Sequence, residues 1–291
     1  MEELLDLFHY NQINHQDLPI AALTALVDLE NPKGNIWMRA DPVFLHADLT
    51  SLILFDSQSF SLTKKEAKGL LLILNPVLAE DGLRLICGDD PARWYLRFKE
   101  KEMENVPSIT TVSPRVVNGR DIRSFLPEGK DGTYWVRLAN EIQMLLHDCS
   151  INQERQRRGE VPINSVWFWG NGKLLEQKVT SFDQVISNDV NAQGLAIHAG
   201  VPHVKIPADF NRFLNEQEKD QNVVIVLSQG DLALSKTEVL PEDQSISWQE
   251  QTIFDPLLSN LKKGRIQKLE IISDDQHRIV KPSHLYRFWR K

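Results

Sequence analysis

The chain has 291 residues, with 33 Lys or Arg against 40 Asp or Glu, for a formal net charge of −7. That length supports one large domain or two ordinary ones around a real hydrophobic core. With 42% apolar and 25% charged residues, disordered and fibrous classes are excluded, and the acidic balance argues against nucleic acid as a partner held by bulk charge.

Two cysteines, Cys87 and Cys149, cannot build a disulfide framework, which fits a reducing compartment. The opening Met1-Glu2-Glu3 lacks the basic n-region of a secretory signal. The longest apolar runs, residues 70–74 and 223–227, are too short to span a bilayer. A cytoplasmic protein with no membrane partner is therefore expected.

Two helices are expected first, over residues 2–10 and 18–28, where Leu4, Leu5 and Phe8, then Ala22, Leu23 and Leu26, recur three and four apart. Asn31-Pro32-Lys33-Gly34 is turn chemistry. Residues 36–47 and 51–55 read as strands joined by Asp48-Leu49-Thr50, a hairpin. Thr63, with Glu66 three residues on, is a capping box for a helix running to about Leu78. Short strands over 83–87 and 94–99 flank Gly88-Asp89-Asp90-Pro91. Residues 100–132 read as an ordered connector: Pro107, Pro114, Gly119 and Pro127 bring turns, while Ile109, Val116, Val117 and Phe125 supply apolar anchors.

The longest helical pattern covers 133–152, with Tyr134, Leu138, Ile142, Leu145 and Leu146 on one face. A strand over 166–169 then enters a Gly170-Asn171-Gly172 loop. Beyond it come a helix (190–199), a strand (204–206), a helix (208–218), a strand (223–227), a helix (248–262) and a strand (269–272). This alternation predicts an α/β or α+β fold of mixed sheets and amphipathic helices. The expected division is an N-terminal lobe, 1–130, and a C-terminal lobe, 131–291, in one continuous globular unit.

Four groups of residues invite a chemical reading. In a strand, Arg39 and Asp41 share a face; a guanidinium beside a carboxylate either receives a polar ligand or closes on itself as a structural ion pair. Arg93, Tyr95 and Arg97 likewise share a face, which suits an anionic ligand or plain solvent. On the long helix, Asn140, Met144 and His147 form a stripe with Glu141 beside it and Arg137 one turn back. Such polar groups mark either a site or a buried network, and one network joining Arg39, Asp41 and Glu141 is expected. Finally, the Gly170-Asn171-Gly172 turn is either a plain tight turn between elements or one that offers backbone N–H groups to an anion. Leu175 stands where a dinucleotide fingerprint needs its third glycine.

No His-x-x-x-His or Cys-x-x-Cys spacing occurs, so no metal site and no cofactor are expected. No Gly-x-Ser-x-Gly occurs either. The basic, aromatic end Tyr286-Arg287-Phe288-Trp289-Arg290-Lys291 is expected to dock on the body.

Trp37-Met38-Arg39-Ala40-Asp41-Pro42, Arg93-Trp94-Tyr95-Leu96, residues 140–147 and the run from Pro162 to Gly170 together resemble a proteobacterial family of RpfE-type regulatory proteins, some members of which are labelled phosphoglycerate mutase. A regional similarity runs from Asn164 through Trp167-Phe168-Trp169-Gly170-Asn171-Gly172 to Gly194-Leu195-Ala196 and Gly200-Val201-Pro202, and earlier from Arg39 through Glu66 to Arg93. It is to archaeal-type cofactor-independent phosphoglycerate mutases, in the part that covers the substrate. Their metal domain implies an early Asp-Gly ligand, a serine nucleophile and late Asp and His ligands, none recognisable here. The resemblance thus implies a regulatory or ligand-sensing protein for a phosphorylated small molecule, with Arg39, Asp41, Arg93, Arg97, Glu141, Asn164, Trp169 and Asn171 as ligand-binding candidates. The alternatives are an enzyme on a phosphorylated small acid, with Arg39, Arg93 and Arg97 on the phosphate and His147 as acid/base, or a module that binds a protein partner through its tryptophans.

Overall fold

The structure, a computed structural model, describes residues 4, 7–8, 18–98, 107–174, 176–177, 180–217, 220–227, 242–273 and 276–285, with the side chains of 242–245 left aside. Most of the helix expected over 2–10, Leu175 and the C-terminal 286–291 lie outside these residues. The chain forms two compact units, Gln12–Glu176 and a second made of Met1–Asn11 with Gln177–Lys291. The boundary expected near 130 therefore falls inside the first unit, because the long helix after it packs on the same sheet as the elements before it.

In the first unit, β1 (Ile36–Ala47) is the hub of a five-stranded antiparallel sheet. It pairs β2 (Leu52–Phe55) through residues 44–47, as the expected hairpin, and β4 (Trp94–Phe98) through residues 37–39. On β4 lies β3 (Leu83–Cys87), and β5 (Ser165–Lys173) runs along residues 36–43 of β1. Residues 40–43 of β1 thus have β5 as their sole ladder partner. That notch is where the chain tolerates Pro42, whose missing N–H would break a fully paired central strand.

The strand period of two separates the faces of the sheet. Ile36, Met38 and Ala40 of β1, with Trp94, Leu96 and Phe168, face a layer of two helices, α2 (Lys64–Leu78) and α4 (Gly132–His147), that contribute Leu70, Leu74, Leu138 and Ile142. Trp37 and Tyr95 occupy the other face, under Ala21, Ala22 and Ala25 of α1 (Ile20–Asp28). Higher on that face, Val43, Leu45 and Trp167 pack with Val117 and Ile122 of the connector, which holds α3 (Pro114–Val117). The Thr63/Glu66 capping box forms as expected.

Two expectations give way here. The helix expected over 133–152 is two: α4 stops at His147 and α5 (Ser150–Arg157) restarts. Buried Asn152 secures the break, since its Nδ2 donates to the carbonyl of Leu146 (2.8 Å), in the last turn of α4, and to that of Ile163 (2.8 Å). Nor is Gly170-Asn171-Gly172 a turn. β5 continues through it to Lys173, and Gly170 and Asn171 oppose Met38 as a β-bulge between the pairs Trp37↔Gly172 and Arg39↔Trp169. Gly170 adopts a φ of +62°, and a Cβ on Gly172 would meet Cβ of Pro19 at 2.7 Å. The glycines serve the bulge and the close approach of α1.

The second unit holds a parallel sheet with β6 (Gln184–Ser187) between β7 (His203–Val204) and β8 (Val223–Val226). Helices α6 (Val190–Ala199) and α7 (Phe210–Glu216) lie along the connections. Asp189 caps α6 through the N–H groups of Asn191 and Ala192. The helix expected over 248–262 begins earlier, as α8 (Glu242–Gln249), a π-helical turn over Glu250–Phe254, and α9 (Asp255–Lys262). Ile186, Phe210, Ile253 and Leu257 are its core. A hairpin of β9 (Leu269–Ser273) and β10 (Gln276–Val280) follows. The chain is an α/β fold of mixed sheets, as expected. No helix among the described residues is long and apolar enough to cross a membrane.

Candidate functional site

A buried polar cluster of the first unit lies on the α1 face of the sheet, beside the notch. Arg39 and Asp41, only 5% and 7% exposed, point the same way from β1. Nε and Nη2 of Arg39 donate to Oδ1 of Asp41 at 3.0 and 2.6 Å. The same oxygen accepts the Trp94 backbone N–H (3.2 Å), and Oδ2 accepts the Trp169 indole N–H (2.8 Å). The guanidinium lies 5.2 Å from the ring centroids of both Tyr95 and Trp169, a cation between two π faces. Both charges are thereby paired and bonded, as burial demands.

Tyr95 links this pair to a second. Its hydroxyl donates to Oδ2 of Asp28 (2.7 Å), which also accepts Nε of Arg93 at 2.7 Å, while Oδ1 takes Nη2 of Arg93 at 2.8 Å. Burial foremost, with the Asp28 charge beside it, pushes the Tyr95 hydroxyl well above its ordinary range. Burial opposes the Arg93 charge, but the bonds to Asp28 outweigh it and hold the guanidinium above its usual value. The two pairs are one continuous network across β1, β4 and the end of α1.

Near the notch is Asp56, buried just after β2. Burial, with a smaller contribution from nearby Asp41, raises its carboxyl above the ordinary value, against the pull of the Gln58 N–H (3.0 Å) and the Arg115 charge. Asp28 and Asp56 were not among the sequence candidates. Asp28 did carry a signal: an acidic residue at the C-terminal end of a helix opposes the macrodipole and so needs a cationic partner.

The remaining candidates scatter. Asn164 accepts from the backbone N–H of Leu45 (2.8 Å) and donates to its carbonyl (2.9 Å), so it acts as a strand extension. Buried Asn171 donates to the carbonyl of Pro107 (3.1 Å), inside the bulge. Arg97 is exposed. Glu141 does not join Arg39 and Asp41; it lies 3.5 Å from Arg137 in an exposed pair along α4. His147 is 79% exposed, 3.9 Å from Asp148. The reason is topological. Core residues of α4 pack against the Met38 and Ala40 face, whereas Arg39 pairs in register with Tyr95 and Trp169 on the other. Among the described residues no three His, Cys, Asp or Glu side chains converge as metal ligands would.

An α/β chain with this network is similar to phosphoglycerate mutases of the 2,3-bisphosphoglycerate-independent class. No family model matches it. It is 31% identical over 200 residues to the Methanosarcina mazei enzyme, covering 65% of this chain and 48% of that one. It is 24% identical over 195 residues to a probable enzyme of Geobacter sulfurreducens, covering 65% and 47%. With the Methanosarcina barkeri enzyme it shares 24% identity over 279 residues, 91% of this chain and 64% of that one. The chain thus spans about half the length of the first two. Among solved structures, the cofactor-independent phosphoglycerate mutase of Thermoplasma acidophilum aligns with a TM-score of 0.42 at 14% identity, over 86% of this chain and 68% of that one. A Pyrococcus horikoshii protein aligns at 0.49 and 12%, over 92% and 65%.

Proposed function

We propose that the chain is a ligand-sensing regulatory protein that holds a phosphorylated small acid without turning it over, the role its RpfE-type resemblance implies. The observation that carries this reading is the separation of the two halves of the enzymatic constellation. Arg39 and Arg93 lie on the α1 face of the sheet, bound to buried Asp41 and Asp28. His147 projects into solvent from the helix layer on the opposite face. An acid/base must reach the atom it protonates within hydrogen-bond distance, and the sheet between the two groups counts against His147 in that role. The similarity to enzymes named phosphoglycerate mutase, over 65% of the chain, supports the choice of phosphorylated acid. The free cysteines Cys87 and Cys149 fit a reducing, cytoplasmic setting.

The test is a thermal-shift series with 2- and 3-phosphoglycerate and related phosphorylated acids, with and without Mn²⁺, run beside a mutase assay. A saturable rise in the unfolding midpoint with no turnover supports the reading. Metal-dependent interconversion of the phosphoglycerates would replace it with the enzyme.

A further inference from the structure

We infer that Arg84 and Arg97 form a phosphate-binding pair on the β3–β4 ribbon, at the opposite end of the α1 face from the notch. The two are register partners, directly opposed across antiparallel strands, so their side chains leave the same face with Cβ atoms about 5 Å apart. Both are exposed. Neither makes an ion pair or side-chain hydrogen bond with another described residue. This contrasts with Arg39, Arg93, Arg123 and Arg155, each of which ends on a carboxylate.

The register is not free to relax the repulsion. Leu83, Leu85, Leu96 and Phe98 lie in the core between the sheet and its helices, and a slip of one residue would turn them to the outside. Like charges directly opposed across a ladder are unfavourable, so the fold holds two guanidinium forks together at a cost that a bound dianion would reverse. Each fork offers paired N–H groups matched to phosphate oxygens. Next in the same cross-strand line is Trp37, whose indole N–H donates to the carbonyl of Pro32 (2.9 Å) and ties down the turn that carries exposed Lys33. The ligand class is a small molecule bearing a phosphate monoester or diphosphate. This site rests on the proposed function for its natural ligand, and on the arginines' own geometry for the anion.

Titrating the full-length ¹⁵N-labelled protein with inorganic pyrophosphate at constant ionic strength, while following arginine Nε–H signals, tests it. The Arg84 and Arg97 signals should move together and saturate, and Arg84→Gln or Arg97→Gln should weaken binding at least tenfold, while Arg120→Gln leaves it intact. Without anion, each of the first two variants should melt about 1–3 °C higher, because the repulsion is gone; that readout also shows that the variants fold. Pyrophosphate binding that survives the double variant unchanged would overturn the pair. So would 3-phosphoglycerate stabilisation that persists in the double variant, which would leave the sensing role standing at another site. Pyrophosphate binding at the pair with no effect of any phosphorylated acid would uphold the pair and overturn the sensing role.

Discussion

At the scale of single residues, the charges on the α1 face separate into those that hold the fold and those open to a ligand. Arg39 belongs to the first group: Arg39→Ala leaves Asp41 buried without its cation. The expected loss is about 3–5 kcal/mol in a denaturant titration. Glu141→Ala, which removes only an exposed helix pair, should stay within about 0.5 kcal/mol; equal effects would contradict the division. Asp56 gives the opposite sign. Its carboxyl titrates above the ordinary value because burial disfavours the charge, so the ionised form costs stability at neutral pH and the cost fades as pH falls through the raised value towards 3.8. Asp56→Asn keeps an acceptor for the Gln58 N–H. Its midpoint at pH 7 should equal or exceed the parent's, with the advantage shrinking as pH falls towards 3.8. A clear loss at pH 7 would show that the charge is needed.

At the scale of elements, the capping box at Thr63 was legible in the sequence and proves to anchor more than one helix. Burial alone would raise the Glu66 carboxyl, but the Thr63 hydroxyl and N–H, with the Arg155 and Arg158 guanidiniums, outweigh it and hold it at about 2, from an ordinary 4.5. Since the native value is depressed, the stabilisation is fully present above pH 4.5 and lost as pH falls towards 2. Glu66→Gln should be about 1–2 kcal/mol less stable at pH 7, less than the full shift implies because solvent screens this partly exposed carboxylate, and flatter across that window. An acid-unfolding curve parallel to the parent's would contradict this. The bulge was not legible. Gly-Asn-Gly after an apolar strand has the composition of a turn, and only tertiary packing, the arrival of Pro19 and Ile20 over Gly170 and Gly172, makes it a continuing strand. Gly172→Ala should therefore cost about 1–3 kcal/mol through overpacking; an unchanged midpoint would mean that α1 packs elsewhere.

At the scale of the whole molecule, strand periodicity at 36–47 and 83–87 and helix periodicity at 190–199 translated directly into elements, because period two and period 3.6 are local properties. Pairing was not local. The exception is the pair Arg39 and Asp41, two apart on one strand and so on one face; nothing local says that Glu141 would stay out of it, or that Asp28, 65 residues before Arg93, would claim that guanidinium. The sheet then places the helix carrying His147 on one side and Arg39 and Arg93 on the other, the separation on which the proposed sensing role rests. The most direct test is a ³¹P NMR spectrum of 3-phosphoglycerate mixed with the purified chain and Mn²⁺, after removal of free metal. A sensing protein gives a protein-dependent shift or broadening of the 3-phosphoglycerate signal with no 2-phosphoglycerate signal growing in. A growing 2-phosphoglycerate signal, or a substrate line untouched by the protein, would contradict it.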